Sequence, residues 1–157
     1  MYKIITMEHS YTVAKTKFSE GYNCAQSCLY PFAIKAGMSH EHALQLPTAF
    51  GTGMMFRGEM CGAITGSMMA IGLFHGKSKI SDADAKEKTY ALIQELHKQF
   101  TAKHGSIICK ELLSLEKCDA ENWETASTKF ESHCPIFVED AARITENLLQ
   151  KHNDTTP

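Results

Sequence analysis

The chain has 157 residues, 43% of them hydrophobic, and a formal net charge of −2. That balance fits one domain with a sizeable core and excludes both a disordered chain and the basic footprint of a nucleic-acid binder. The first eight residues, MYKIITME, lack the apolar run and small-residue cleavage site of a secretory signal, so a cytoplasmic location is expected.

Taken in order, the segments all read as helix, with no strand alternation. Tyr11, Ala14 and Phe18 recur at helical spacing between Glu8 and Glu20, and Gly21 stops that segment. Asn23 is a cap for a helix running through Cys24, Cys28 and Phe32 to Gly37, with a kink or break expected at Pro31. Ser39 caps a short helix that ends near Leu46-Pro47. A glycine-rich loop from Phe50 to Gly58 follows.

The stretch from Met60 to Gly76 then carries no charge. It reads as a buried helix with Cys61 at its first turn and Ile64, Met68, Ile71 and Leu73 inward. Gly62, Gly66 and Ala70 recur at i, i+4 and i+8, so one face is nearly bare. Glycine inside a helix costs roughly 0.5–1 kcal/mol against alanine, which close approach of another helix or a cofactor would offset. A membrane span needs about 20 apolar residues, so no transmembrane segment is expected.

A long helix from about Asp82 to Lys103 has Tyr90, Ile93, Leu96, His97 and Phe100 as its apolar stripe. Ser106 caps a short helix containing Cys109. Trp123 is expected to pin the polar stretch between Glu116 and Glu131. Pro135 reads as the first residue of a last helix that buries Phe137, Ala141, Ile144 and Leu148, with a frayed tail from Lys151. The expectation is an all-α, single-domain bundle, residues 1–157, of about six or seven helices around the Cys61 helix.

Six cysteines in a cytoplasmic chain point to metal or redox chemistry rather than to structural disulfides. Cys24, Cys61, Cys109 and Cys134 each fall near an expected helix N-terminus, where free amides and the helix dipole favour thiolate over thiol. Cys28 lies one turn beyond Cys24, and Cys118 sits in the polar stretch. No spacing is CxxC or CxxCH, so neither a zinc ribbon, a thioredoxin motif nor covalent haem is indicated. Nothing supports Ser/His/Asp catalysis.

Cys61-Gly62-Ala63-Ile64-Thr65-Gly66, preceded by Cys24 and followed by Cys109 and Cys134, resembles the C_GCAxxG_C_C family of redox-active proteins. The resemblance runs from about Phe18 to Ala142 and implies that these four cysteines form the site, with Cys28 and Cys118 outside it. Related four-cysteine domains imply an iron–sulfur cluster.

Three readings stay open. The first is a cluster or other metal held by Cys24, Cys61, Cys109 and Cys134, with Gly62 and Gly66 admitting it and electron transfer as the function. The second is metal-free thiol–disulfide chemistry with an unknown redox partner. The third is a non-catalytic helical binding module with structural zinc or merely buried cysteines. Eight methionines, several between Gly51 and Met69, are an adaptable apolar surface for a homodimer.

Overall fold

The computed structural model describes residues 8–153. The described residues form an all-α bundle of seven right-handed helices: α1 (Ser10–Ser19), α2 (Cys24–Lys35), α3 (His40–Gln45), α4 (Gly62–His75), α5 (Ala83–His104), α6 (Cys109–Leu112) and α7 (Trp123–Asn153). Among the described residues the only β pairing is one antiparallel bridge, Met60 to Ile108. No described helix is long and apolar enough to cross a membrane. The expected frayed tail lies mostly outside the described residues, and so does the side chain of Trp123; the helix itself continues to Asn153.

Local side-chain caps account for two of the helix starts. Asn23 and Gln26 form a reciprocal capping box at α2, and Ser39 accepts the His42 amide at α3. At α1 no local cap serves; Glu146 of α7 accepts the Ser10 amide at 2.8 Å instead. Gly21 and Gly105, both at positive φ, end α1 and α5.

The core is built around α2 packed on α4. Gly66 makes that contact possible: a Cβ there would lie 2.5 Å from the Ala25 carbonyl oxygen and 3.0 Å from Cys28 Cβ. The close neighbour admitted by the bare face of α4 is therefore helix α2. Ile64 and Ile71 are fully buried, as expected, and Met68 is half-buried. Leu73 is not: it is 40% exposed, because α4 runs past its cover in its last turn. On α5 the buried stripe is Thr89, Leu92, Leu96 and Phe100, and Tyr90 is 58% exposed, one position off the inward face.

At Pro31 and Pro135 the helices run on unbroken. α2 passes Pro31 without a break, held by neighbours that bury most of its length. α7 passes Pro135 as one helix of 31 residues, so Pro135 does not start a helix. Ala126, Phe130, Cys134, Val138, Ala141, Thr145 and Leu148 form a single buried stripe across it. A mid-helix proline costs ~3 kcal/mol, whereas burying each large apolar side chain gains about 1.5–3 kcal/mol, so a stripe with Phe130, Phe137, Val138 and Leu148 wins.

The glycine-rich loop holds an unusual conformation. Thr52, Gly53, Met54, Met55 and Phe56 all have positive φ, so Gly51–Phe56 is a helical turn of left hand. Each non-glycine residue so placed costs about 1–2 kcal/mol. Thr65 Oγ1 donates to the Phe50 carbonyl, and Asn23 Nδ2 to the Thr48 carbonyl, tying down the approach to the turn.

Substituting Gly66→Ala should destabilise the fold by about 1–3 kcal/mol, since the obstacle is backbone. At Gly72, also in α4, nothing lies within 4 Å of an added Cβ, so Gly72→Ala should be neutral or stabilising by up to ~1 kcal/mol. Urea unfolding midpoints of the two variants test the α2–α4 contact.

A buried cysteine cluster as the candidate functional site

All six cysteines are free thiols and buried. Cys24 is the first residue of α2, Cys61 the N-cap of α4, and Cys109 the first residue of α6. Cys134 is different from expectation: it lies in the middle of α7, because the helix begins at Trp123. No helix terminus acts on it.

Two structural devices bring these positions together. The first is the α2–α4 contact. A Cβ on Gly62 would lie 2.6 Å from Cys24 Sγ, so the Cys24 sulfur rests on the residue that follows Cys61. The second is the bridge. The Cys61 amide donates to the Ile107 carbonyl at 2.8 Å, and the Cys109 amide to the Glu59 carbonyl at 2.6 Å. With Met60 opposite Ile108, alternation puts Cys61 and Cys109 on one side of the ribbon as diagonal neighbours. Met60 and Ile108 project to the other side, where they line an apolar groove of about 450 Å³ with Phe50, Met54, Met68 and Met69.

The electrostatics report the same convergence. Burial pushes the Cys134 thiol far up, and the neighbouring charges of Cys24, Cys61, Cys109 and Cys118 push it further. Cys109 is raised by burial first, then by Cys61, Cys24 and Cys118. Burial and Cys24 together raise Cys61 to about 12, against the opposing amides of Ala63 and Ile64. Helix N-termini therefore do act on Cys61, but desolvation outweighs them, and the expected preference for thiolate is reversed.

Cys24 has the fullest set of donors. Burial raises its pKa, while the amides of Thr52, Cys24 itself, Ala25 and Gly62 all favour its thiolate. The Thr52 amide comes from the left-handed turn, which gives that strained segment a role at the sulfur. Cys24 also lines a surface cleft of about 310 Å³, with Phe18, Tyr22, Thr52 and Phe130 among its walls.

Cys28 is fully buried, and its thiol faces the Val138 carbonyl at 3.5 Å across the core. Cys118, set apart by the sequence, is drawn in: it packs on Gly58 beside Lys110, the residue that follows Cys109, and the Cys109 and Cys118 thiols influence each other's ionisation. No feature of residues 116–131 signalled that. Among the described residues, no three His, Cys, Asp or Glu side chains are grouped to hold a metal ion.

The fold and the cluster define an all-α protein built around clustered buried thiols. Residues 22–148 match the C_GCAxxG_C_C family, described as "Putative redox-active protein", and the chain belongs to that family. Comparison with curated proteins and with solved structures gives no match.

The raised thiols make stability fall in alkali. Below pH ~9 a buried thiol holds its proton in both states; between about 9 and 12 the unfolded chain releases the Cys61 proton while the folded chain keeps it. The unfolded state then binds fewer protons, so stability drops as pH rises, by about 1 kcal/mol at pH 10 from Cys61 alone. Melting temperatures under reductant from pH 7.5 to 10 should decline, and less steeply in Cys61→Ser.

Proposed function

We propose that the protein carries out metal-free thiol–disulfide exchange with Cys24 as the attacking thiol and Cys61 as its partner. Cys109 and Cys134 complete the set. The observation that carries this reading is the setting of Cys24: the residue lines an open cleft, its buried sulfur receives amides that favour the thiolate, and that sulfur lies against the residue next to Cys61.

In the exchange, Cys24 gives up its proton to water and attacks a substrate disulfide. The S–S bond breaks, one half leaves and takes up a proton, and Cys24 holds the other half as a mixed disulfide. The Cys61 thiol loses its proton, attacks the Cys24 sulfur and releases the second half as a thiol. Two electrons pass from the protein to the substrate, and a Cys24–Cys61 disulfide remains.

A second reading is supported by the same convergence: Cys24, Cys61, Cys109 and Cys134 are the donor set of an iron–sulfur cluster, which would supply one-electron transfer. The described side chains are not grouped as such a donor set requires, so thiol exchange, which needs only pairs, is the better supported.

Reduced protein treated with hydroxyethyl disulfide should lose thiols in pairs and regain them with dithiothreitol. Cys24→Ser should slow that oxidation by roughly 10-fold or more, while Cys28→Ala should retain it. Iron and a visible charge-transfer spectrum in protein purified without oxygen would instead favour the cluster, and an unchanged thiol count without iron would leave a non-catalytic module.

A further inference from the structure

Cys118 lies outside the four-cysteine pattern but not outside the cluster. It packs on Gly58 of the glycine-rich loop, whose Gly53 packs on Cys109. A Cβ on Gly53 would lie 2.6 Å from Cys109 Cβ, and one on Gly58 would lie 3.1 Å from Cys118 Cβ. Both glycines have positive φ, so the loop admits the two cysteines by its shape and by its missing side chains. The Lys110 amide donates to the Gly58 carbonyl at 3.2 Å and holds α6 against the same spot. A Cβ on Gly58 would also lie 3.0 Å from Lys110 Cβ, so Cys118 packs beside the residue that follows Cys109.

Cys118 has its own route to solvent. It lines a cleft of about 300 Å³ whose walls bear Arg57, Lys110 and Lys117 together with Glu59, Glu116 and Asp119. Charges of both signs suit a small molecule carrying both ammonium and carboxylate groups. The Cys24 cleft, walled by Phe18, Tyr22 and Phe130, has a different character.

We propose that Cys109 and Cys118 form a second redox dithiol, with Cys118 exchanging directly with a small zwitterionic disulfide of the amino-acid or peptide type in the polar cleft. This deepens the thiol–disulfide reading and rests on it. Cys118 gives its proton to water and attacks one sulfur of the small disulfide; the S–S bond breaks, and the departing half takes a proton and leaves as a thiol. Cys109 gives its proton to water and attacks the Cys118 sulfur, releasing the second half as a thiol. The dithiol is oxidised by two electrons, and the small disulfide is reduced to two thiols. Cys61, on the same side of the ribbon as Cys109, is placed to pass the exchange on towards Cys24.

The test uses the full chain, reduced and then oxidised with glutathione disulfide in the absence of oxygen. Acid quenching, alkylation and peptide mass mapping read the pairs. The expected result is a Cys109–Cys118 linked peptide, and oxidation slowed by roughly 10-fold or more in Cys118→Ser, with far-ultraviolet circular dichroism unchanged. Cys118 recovered alkylated while other disulfides have formed would overturn this proposal and leave exchange at Cys24 standing. No disulfide anywhere would overturn both. Mapping is done on the unsubstituted chain, so the result holds even if the variant fails to fold.

Discussion

Gly66 has no side chain, and the Ala25 carbonyl lies where its Cβ would be. Two helices that carried ordinary side chains at this crossing would stand farther apart, at the usual interaxial separation of about 8–10 Å. The missing atoms let α2 settle onto α4, and the same approach seats the Cys24 sulfur over Gly62. The Cys24 end of the cluster depends on this contact. It sets where α2 begins relative to Cys61, and so which thiols can meet.

The left-handed turn is the second constraint, and it runs against local preference. Thr52, Met54, Met55 and Phe56 hold positive φ without being glycine. Such residues persist only where the surroundings over-determine them. Here the Glu59 amide closes the turn onto the Gly53 carbonyl, and the bridge to residues 107–110 holds its far end. In return the turn points the Thr52 amide at Cys24 and gives Cys109 and Cys118 a floor of glycine.

Burial and amide donors oppose each other at Cys24, Cys61 and Cys118. Were the helix starts exposed, the dipole and free amides would lower the thiol pKa values. Sealed in the bundle, the cysteines pay desolvation first, and each neighbouring thiolate makes the next one harder to form. The cluster therefore holds protonated thiols at neutral pH. Cys24 and Cys118 stand out because each couples its donors to an opening.

The sequence by itself determined the all-α class, because apolar residues at helical spacing and capping residues such as Asn23 and Ser39 act locally. It also marked the close approach at Gly66, since glycine repeated at i, i+4 needs a neighbour, and the ordered Cys24, Cys61, Cys109 and Cys134 that signal the family. Tertiary structure alone decided the rest. Pro135 reads locally as a helix start, yet a buried stripe on both sides of it outweighs the proline and leaves Cys134 in mid-helix. Helix-start thiols read locally as acidic, yet desolvation is a property of the assembled core. Cys118 carried no local mark at all, because its tie to Cys109 runs through the shape of a loop 60 residues earlier in the chain, at Gly58.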